Sequence, residues 1–204
     1  MINHLKNKFL EYPFVYKLWQ RPFINKKVFP LLGQEELWNE KNVLDVGCGP
    51  ATNTLLFKTA KNYIGVDINA DYISKAKLLY PERSFICHDV SHKLKLDQKP
   101  DLIFCNSLLH HLSDDEVESL LAWLKPICNE QTKIDLIDLL LPPNYGLPYF
   151  LAKADRGDFA RKEAHWRKLL SKEITSLSLE PFSIGLFGID RWDLVYIRGN
   201  LKNA

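Results

Sequence analysis

No stretch of this 204-residue chain approaches the roughly 20 consecutive apolar residues that a membrane-spanning helix needs. The first residues hold no apolar core of signal-peptide length, because Lys6, Lys8 and Glu11 interrupt it. Cysteine is scarce: Cys48, Cys87, Cys105 and Cys128 are all there is, and no two form a C-x-x-C pair. That argues against a disulfide framework or a zinc cluster, and for reduced thiols in a cytoplasmic protein. An excess of one charge is also missing. The net charge is +2, too small to advertise the concentrated basic face that nucleic-acid binding requires. The Walker lysine pattern is absent, which argues against ATP use. There is no internal repeat, low-complexity tract or flexible linker. What remains, 46% hydrophobic and 25% charged, suits one globular domain with a real core.

From about Lys41 the chain alternates short apolar runs with helical patterns. "NVLDV", "YIGVD", "SFICHD", "DLIFCN" and "KIDLIDLLL" read as strands. "ATNTLLFKTA" reads as a helix opened by Thr52 or Asn53, and "ADYISKAKLLY" as a helix ended by Pro81. "SDDEVESLLAWLK" reads as a helix whose Ser113 and Glu116 are spaced as a capping box. Such alternation predicts an α/β fold, a doubly wound, Rossmann-like sheet covered on both faces. Two last strand-like stretches, "ITSLSLEPFSI" and "WDLVYIRG", predict an antiparallel C-terminal hairpin on a mostly parallel sheet. The expected organisation is a single domain over 1–204. Residues 1–40 form an N-terminal helical flap and 41–141 the binding core. Residues 142–172 form a lid insertion and 173–204 the hairpin.

"VLDVGCGPATNT" hands the first strand to a glycine loop with Gly47 and Gly49. Thr52 stands where a dinucleotide fingerprint wants a third small residue. Asp67 ends the second strand 20 residues beyond Gly47, the spacing of an acid that binds ribose hydroxyls. Asp45, just before the glycines, would repel a pyrophosphate and attract a ligand bearing an ammonium group and a sulfonium. Asp89 ends the third strand, where an acid can accept from an adenine amino group. A turn cap explains Asp89 alone equally well. Three acids at the carboxyl ends of three strands are harder to explain as caps, because ligands bind at that edge.

With these motifs the sequence resembles the class I S-adenosylmethionine-dependent methyltransferases. "VLDVGCGPAT", "VDIN", "HDVS" and "DLIFCNSLLHHL" resemble their first four strand-end motifs, over about residues 41–141. The resemblance implies the seven-stranded methyltransferase fold and S-adenosyl-L-methionine as cofactor. It implies that Asp45, Gly47, Gly49 and Asn106 approach the methionine part of the cofactor. Asp67 would hold the ribose, with Ile68 packed on the adenine, and Asp89 and Val90 would bind the adenine edge. The fourth strand ends Asn106-Ser107-Leu108-Leu109, not in the Asn/Asp-Pro-Pro-aromatic signature of enzymes that methylate exocyclic amines. No acidic cluster suggests a magnesium site, and no metal is expected.

His110 and His111 follow the fourth strand and are the candidate catalytic bases, His111 first. Local packing or capping is the competing explanation. Arg156, in "ADRGDF", can bind an acceptor carboxylate or phosphate, or form a surface ion pair with Asp155 or Asp158. Tyr149 and His165 complete the candidate acceptor contacts, with His165 a second base candidate. Tyr145, Phe150, Phe159 and Trp166 either line an acceptor cavity or form helix core. Tyr12, Tyr16 and Trp19 either form a flap over the cofactor or pack on the sheet. The expected function is methyl transfer to oxygen, nitrogen or carbon of a small-molecule acceptor, without nucleic-acid or membrane partners. The rivals are a protein or RNA methyltransferase, supported if Arg156, Arg161, Lys162, Arg167 and Lys168 gather into a patch, and a non-catalytic S-adenosylmethionine-binding module. A nicotinamide enzyme is the third rival, and Asp45 weighs against it.

Overall fold

Seven strands form one sheet in the order β3-β2-β1-β4-β5-β7-β6 in the computed structural model of the chain. It describes residues 24–155, 157–186 and 189–202, so Tyr12, Tyr16, Trp19 and Arg156 lie outside the described residues. The strands are β1 (Asn42–Val46), β2 (Asn62–Asp67), β3 (Ser84–Cys87), β4 (Leu102–Asn106), β5 (Lys133–Leu139), β6 (Ile174–Leu186) and β7 (Ile189–Leu201). Neighbours from β3 through β5 pair in parallel, while β7 runs antiparallel to both β5 and β6. The expected α/β sheet with its antiparallel C-terminal hairpin is therefore present. Chain order reverses between β1 and β4, and their carboxyl ends form the crevice where such sheets bind ligands.

Helix α1 (Ala70–Leu79) starts at Asn69, whose side chain accepts from the backbone of Asp71 and Tyr72. Helix α2 (Asp114–Leu124) has the capping box of Ser113 and Glu116 in full. Helices α3 (Leu147–Ala154) and α4 (Glu163–Leu170) follow β5. The stretch expected as a helix at 51–60 makes only a single 3₁₀ segment, Thr54–Phe57. Thr52, Asn53 and Thr54 are weak helix formers, and the Asn53 side chain accepts from Asn106 instead of capping a helix.

Strand parity fixes the two cores. Leu44 and Val46 face one layer with Val117, Leu121 and Trp166. Val43, Tyr63 and Phe104 face the other, against Trp38, Phe57 and Ile73. Asp45 shares the parity of Val43 and is buried, although its side chain is a carboxyl. The four cysteines are free thiols, and all but Cys87 are buried. Among the described residues no helix is long and apolar enough to cross a membrane.

Candidate active site at the carboxyl edge

The loop after β1 is held to β2, where Gly47 N and Cys48 N donate to the Val66 carbonyl. Gly47 (φ 71°) and Gly49 (φ 54°) occupy the left-handed region. A Cβ on Gly47 would stand 2.9 Å from the Leu108 side chain, so glycine serves both the turn and the close approach. Asp67 pins this loop: one carboxylate oxygen accepts from Gly49 N at 2.9 Å, and the other from Asn69 N at 2.8 Å. Each oxygen keeps a second lone pair for a ligand hydroxyl. Ile68 and Val90 stand apolar and exposed at the ends of β2 and β3. Asp89, also exposed, accepts from Ser91 N at 2.8 Å, a bond that holds its carboxyl below the usual range. The turn-cap reading of Asp89 is thus realised, and the Ser91 side chain adds to the lowering.

Asp45 lies deeper. Tyr63 Oη donates to Asp45 Oδ2 at 2.6 Å, and Thr54 Oγ1 donates to Tyr63 in turn. Asp45 Oδ1 is buried with no hydrogen-bond partner among the described residues. Burial pushes the Asp45 carboxyl up to about 7. The Tyr63 hydroxyl and the nearby Asn53 amide pull the other way, while the Asp67 charge adds to the rise. A buried carboxylate oxygen without a donor is costly, and a cationic donor would satisfy it.

Beside it runs a chain of polar side chains. Asn106 Nδ2 donates to Asn53 Oδ1 at 3.0 Å, Ser107 Oγ donates to Asn106 Oδ1 at 3.0 Å, and Lys27 Nζ donates to Ser107 Oγ at 3.2 Å. Lys27 and Ser107 open onto a cavity of about 40 Å³ that His110, His111, Asp155 and Trp192 also line. Burial lowers the Lys27 ammonium below its ordinary range, against the attraction of Asp155 and Asp138.

His110 is buried and gripped from both sides. Nδ1 meets Asp138 Oδ1 at 2.7 Å and Nε2 meets Asp155 Oδ2 at 3.2 Å. Burial alone would lower the His110 pKa, but the two carboxylates overcome it and raise it to about 9. Burial likewise opposes ionisation of Asp155, and the His110 imidazolium and Gly157 amide outweigh it, taking Asp155 down to about 2. Asp138 Oδ2 also accepts from Leu109 N at 2.7 Å, which ties the loop after β4 to the end of β5. His111 is exposed, its ring centroid 4.1 Å from that of His110.

The remaining candidates separate. Tyr149 is half-buried on α3 and packs edge-on against Tyr145 and Phe150, both exposed. Trp166 is fully buried under the sheet, so it is core and not cavity lining. His165 does not reach the His110 cavity, because Asp114 Oδ2 draws its Nε2 to 2.7 Å at the surface. Arg161 is buried and donates to the carbonyls of Leu109, Leu112 and Phe159 and to Asp114. Arg167 pairs with Glu163. The basic patch that would favour a macromolecular acceptor therefore loses Arg161 to the interior. Sequence reasoning missed Lys27, Asp138 and Asp155 as the charged groups around His110. Asp138 had a signal, an acid within the apolar run "KIDLIDLLL", since buried acids are almost always paired.

Comparison with known proteins agrees with this geometry. A family model described as a methyltransferase domain matches residues 43–130. Over residues 43–130 the chain is similar to that family. Trans-aconitate 2-methyltransferase of Variovorax paradoxus is 34% identical over 102 residues, 47% of this chain and 39% of that protein. Phosphoethanolamine N-methyltransferase 1 of Triticum aestivum is 38% identical over 97 residues, 42% of this chain and 20% of that protein. The chain thus matches well under half the length of these relatives. The crystal structure of the plantazolicin methyltransferase BpumL, in complex with a substrate analogue and S-adenosylhomocysteine, superposes with a TM-score of 0.67. It is 16% identical, with 98% of this chain and 95% of that chain covered, and at that identity the likeness is one of fold. The match ends before α3 and α4, so the matched segment carries the glycine loop and the two histidines but not Asp138 or Asp155.

Proposed function

We propose that this chain transfers a methyl group from S-adenosylmethionine to oxygen, nitrogen or carbon of a small-molecule acceptor. The observation that carries the reading is the unpartnered oxygen of buried Asp45 beside the glycine loop. A pyrophosphate would meet repulsion there, whereas the methionine ammonium brings the donor this oxygen lacks. The other edge residues fit the rest of the cofactor. Gly47 and Gly49 let the backbone approach it, and Asn106 lines its methionine part. Asp67 takes the ribose hydroxyls, Ile68 and Val90 enclose the adenine, and Asp89 receives its amino group. Bound cofactor supplies an already activated methyl group, so the chain needs chiefly to orient the acceptor and exclude water. His110 is held rigid and His111 faces the cavity, and together they form the acceptor wall. Tyr149, with Arg156 in the same insertion, contributes acceptor contacts. The relatives named above act, by their names, on trans-aconitate and phosphoethanolamine, both small molecules. The burial of Arg161 also weighs against a macromolecular acceptor.

The test is to incubate the chain with methyl-tritiated S-adenosylmethionine and a cell extract split into small-molecule, protein and RNA fractions. Label entering the small-molecule fraction supports the reading. Label confined to protein or RNA would replace it with the macromolecular rival, and no label in any fraction despite cofactor binding would favour a non-catalytic module.

A further inference from the structure

We infer that His110, His111 and Asp155 form a binding site for one divalent transition-metal ion. One ligand atom from each lies within 4.8 Å of the others. Metal–ligand bonds of about 2.1 Å set neighbouring ligand atoms about 3.0 Å apart at a right angle and about 3.4 Å apart at the tetrahedral angle. His110 Nε2 and Asp155 Oδ2 stand 3.2 Å apart, inside that window. The two atoms are joined by a proton, and the ion takes its place, that proton leaving to solvent.

The surroundings are those of a prepared site. Asp138 accepts from His110 Nδ1 at 2.7 Å, which turns Nε2 towards Asp155 and raises the basicity of the ring. Asp138 is itself fixed by the amides of Leu109 and Leu139. Gly157 lies against the ring so closely that a Cβ there would stand 2.2 Å from His110 Cδ2. His111 lies beside it, the ring centroids 4.1 Å apart and the planes tilted by 40°. Two imidazoles and one carboxylate suit a borderline ion such as Zn²⁺ or Co²⁺, whereas Mg²⁺ and Ca²⁺ take oxygen ligands. Lys27 is a cation lining the same cavity, and it opposes the ion. If the methyltransferase reading holds, the open positions of the ion face that cavity and take an acceptor oxygen, lowering its proton affinity.

The experiment is titration of the metal-stripped chain with Zn²⁺ by calorimetry and with Co²⁺ by visible absorption, with Mg²⁺ as control. Binding of S-adenosylhomocysteine is measured on the same samples. One Zn²⁺ per chain is expected, with the Co²⁺ spectrum of mixed nitrogen and oxygen ligands and no response to Mg²⁺. His111→Ala, at an exposed position, should weaken Zn²⁺ at least tenfold. Asp138→Asn should weaken it about 10- to 100-fold. Lys27→Met should tighten it several-fold. Absence of stoichiometric Zn²⁺ binding, or equal binding by His111→Ala and wild type, overturns the site. Metal binding without S-adenosylhomocysteine binding keeps the site and removes the methyltransferase reading. The reverse removes the site alone.

Discussion

Asp45 concentrates the chemistry of this molecule in one side chain. A carboxyl whose folded pKa of about 7 lies above its unfolded value destabilises the fold as pH rises between those values. The penalty is fully present above about pH 7 and absent in acid. Asp45→Asn removes it, since the amide oxygen still accepts from Tyr63. The variant should melt several degrees higher than wild type at pH 8 and nearly level with it at pH 4, by calorimetry. A gain equal at both pH values would mean the carboxyl is not perturbed. The same titration bears on ligand binding. A cationic donor prefers the ionised form, so cofactor affinity should rise with pH up to about 7 and then level off. In Asp45→Asn the affinity should be weak and flat with pH. His111→Ala should lower turnover about a hundredfold or more while leaving the cofactor dissociation constant unchanged. Unchanged turnover would remove His111 from the wall.

At the scale of elements, Asp155 and residues 157–161 are strapped onto the loop after β4. Asp155 grips His110, Phe159 N donates to the His110 carbonyl at 3.0 Å, and Arg161 satisfies two carbonyls of that loop. Arg161→Ala would strand those buried acceptors and should cost roughly 3–5 kcal/mol in urea unfolding. Gly157→Ala would drive a methyl into the His110 ring and should lower stability together with turnover. Ser113→Ala, which deletes the cap of α2, should cost only about 1 kcal/mol and leave cofactor binding alone. Equal losses from Arg161→Ala and Ser113→Ala would mean that the strap contributes little. This scale also shows what the sequence makes legible. The capping box, the β5 strand and the hairpin follow from local pattern and are found where the pattern puts them. The helix at 51–60 was misread because apolar spacing outweighed the weak helix formers Thr52 to Thr54. Lys27, Asp138 and Asp155 join His110 only through contacts separated by many residues, which no local pattern contains.

Across the whole molecule, the order β3-β2-β1-β4-β5-β7-β6 gathers Asp45, Gly49, Asp67, Asp89 and Asn106 along one edge. Their placement was legible because each lies at or just past the carboxyl end of a strand whose apolar run is plain in the sequence. Around the His110 cavity only His110 and His111 were legible as site candidates. Charge at this scale is small, net +2, so ligand choice rests on local groups and not on a long-range field. The account stands or falls on what that edge binds. The most direct measurement is calorimetric titration with S-adenosylhomocysteine and with NADH, on wild type and on Asp67→Ala. The account predicts micromolar binding of S-adenosylhomocysteine, weakened over about a hundredfold in Asp67→Ala by roughly 3 kcal/mol of lost ribose hydrogen bonds, and no binding of NADH. Binding of NADH in preference to S-adenosylhomocysteine would contradict it.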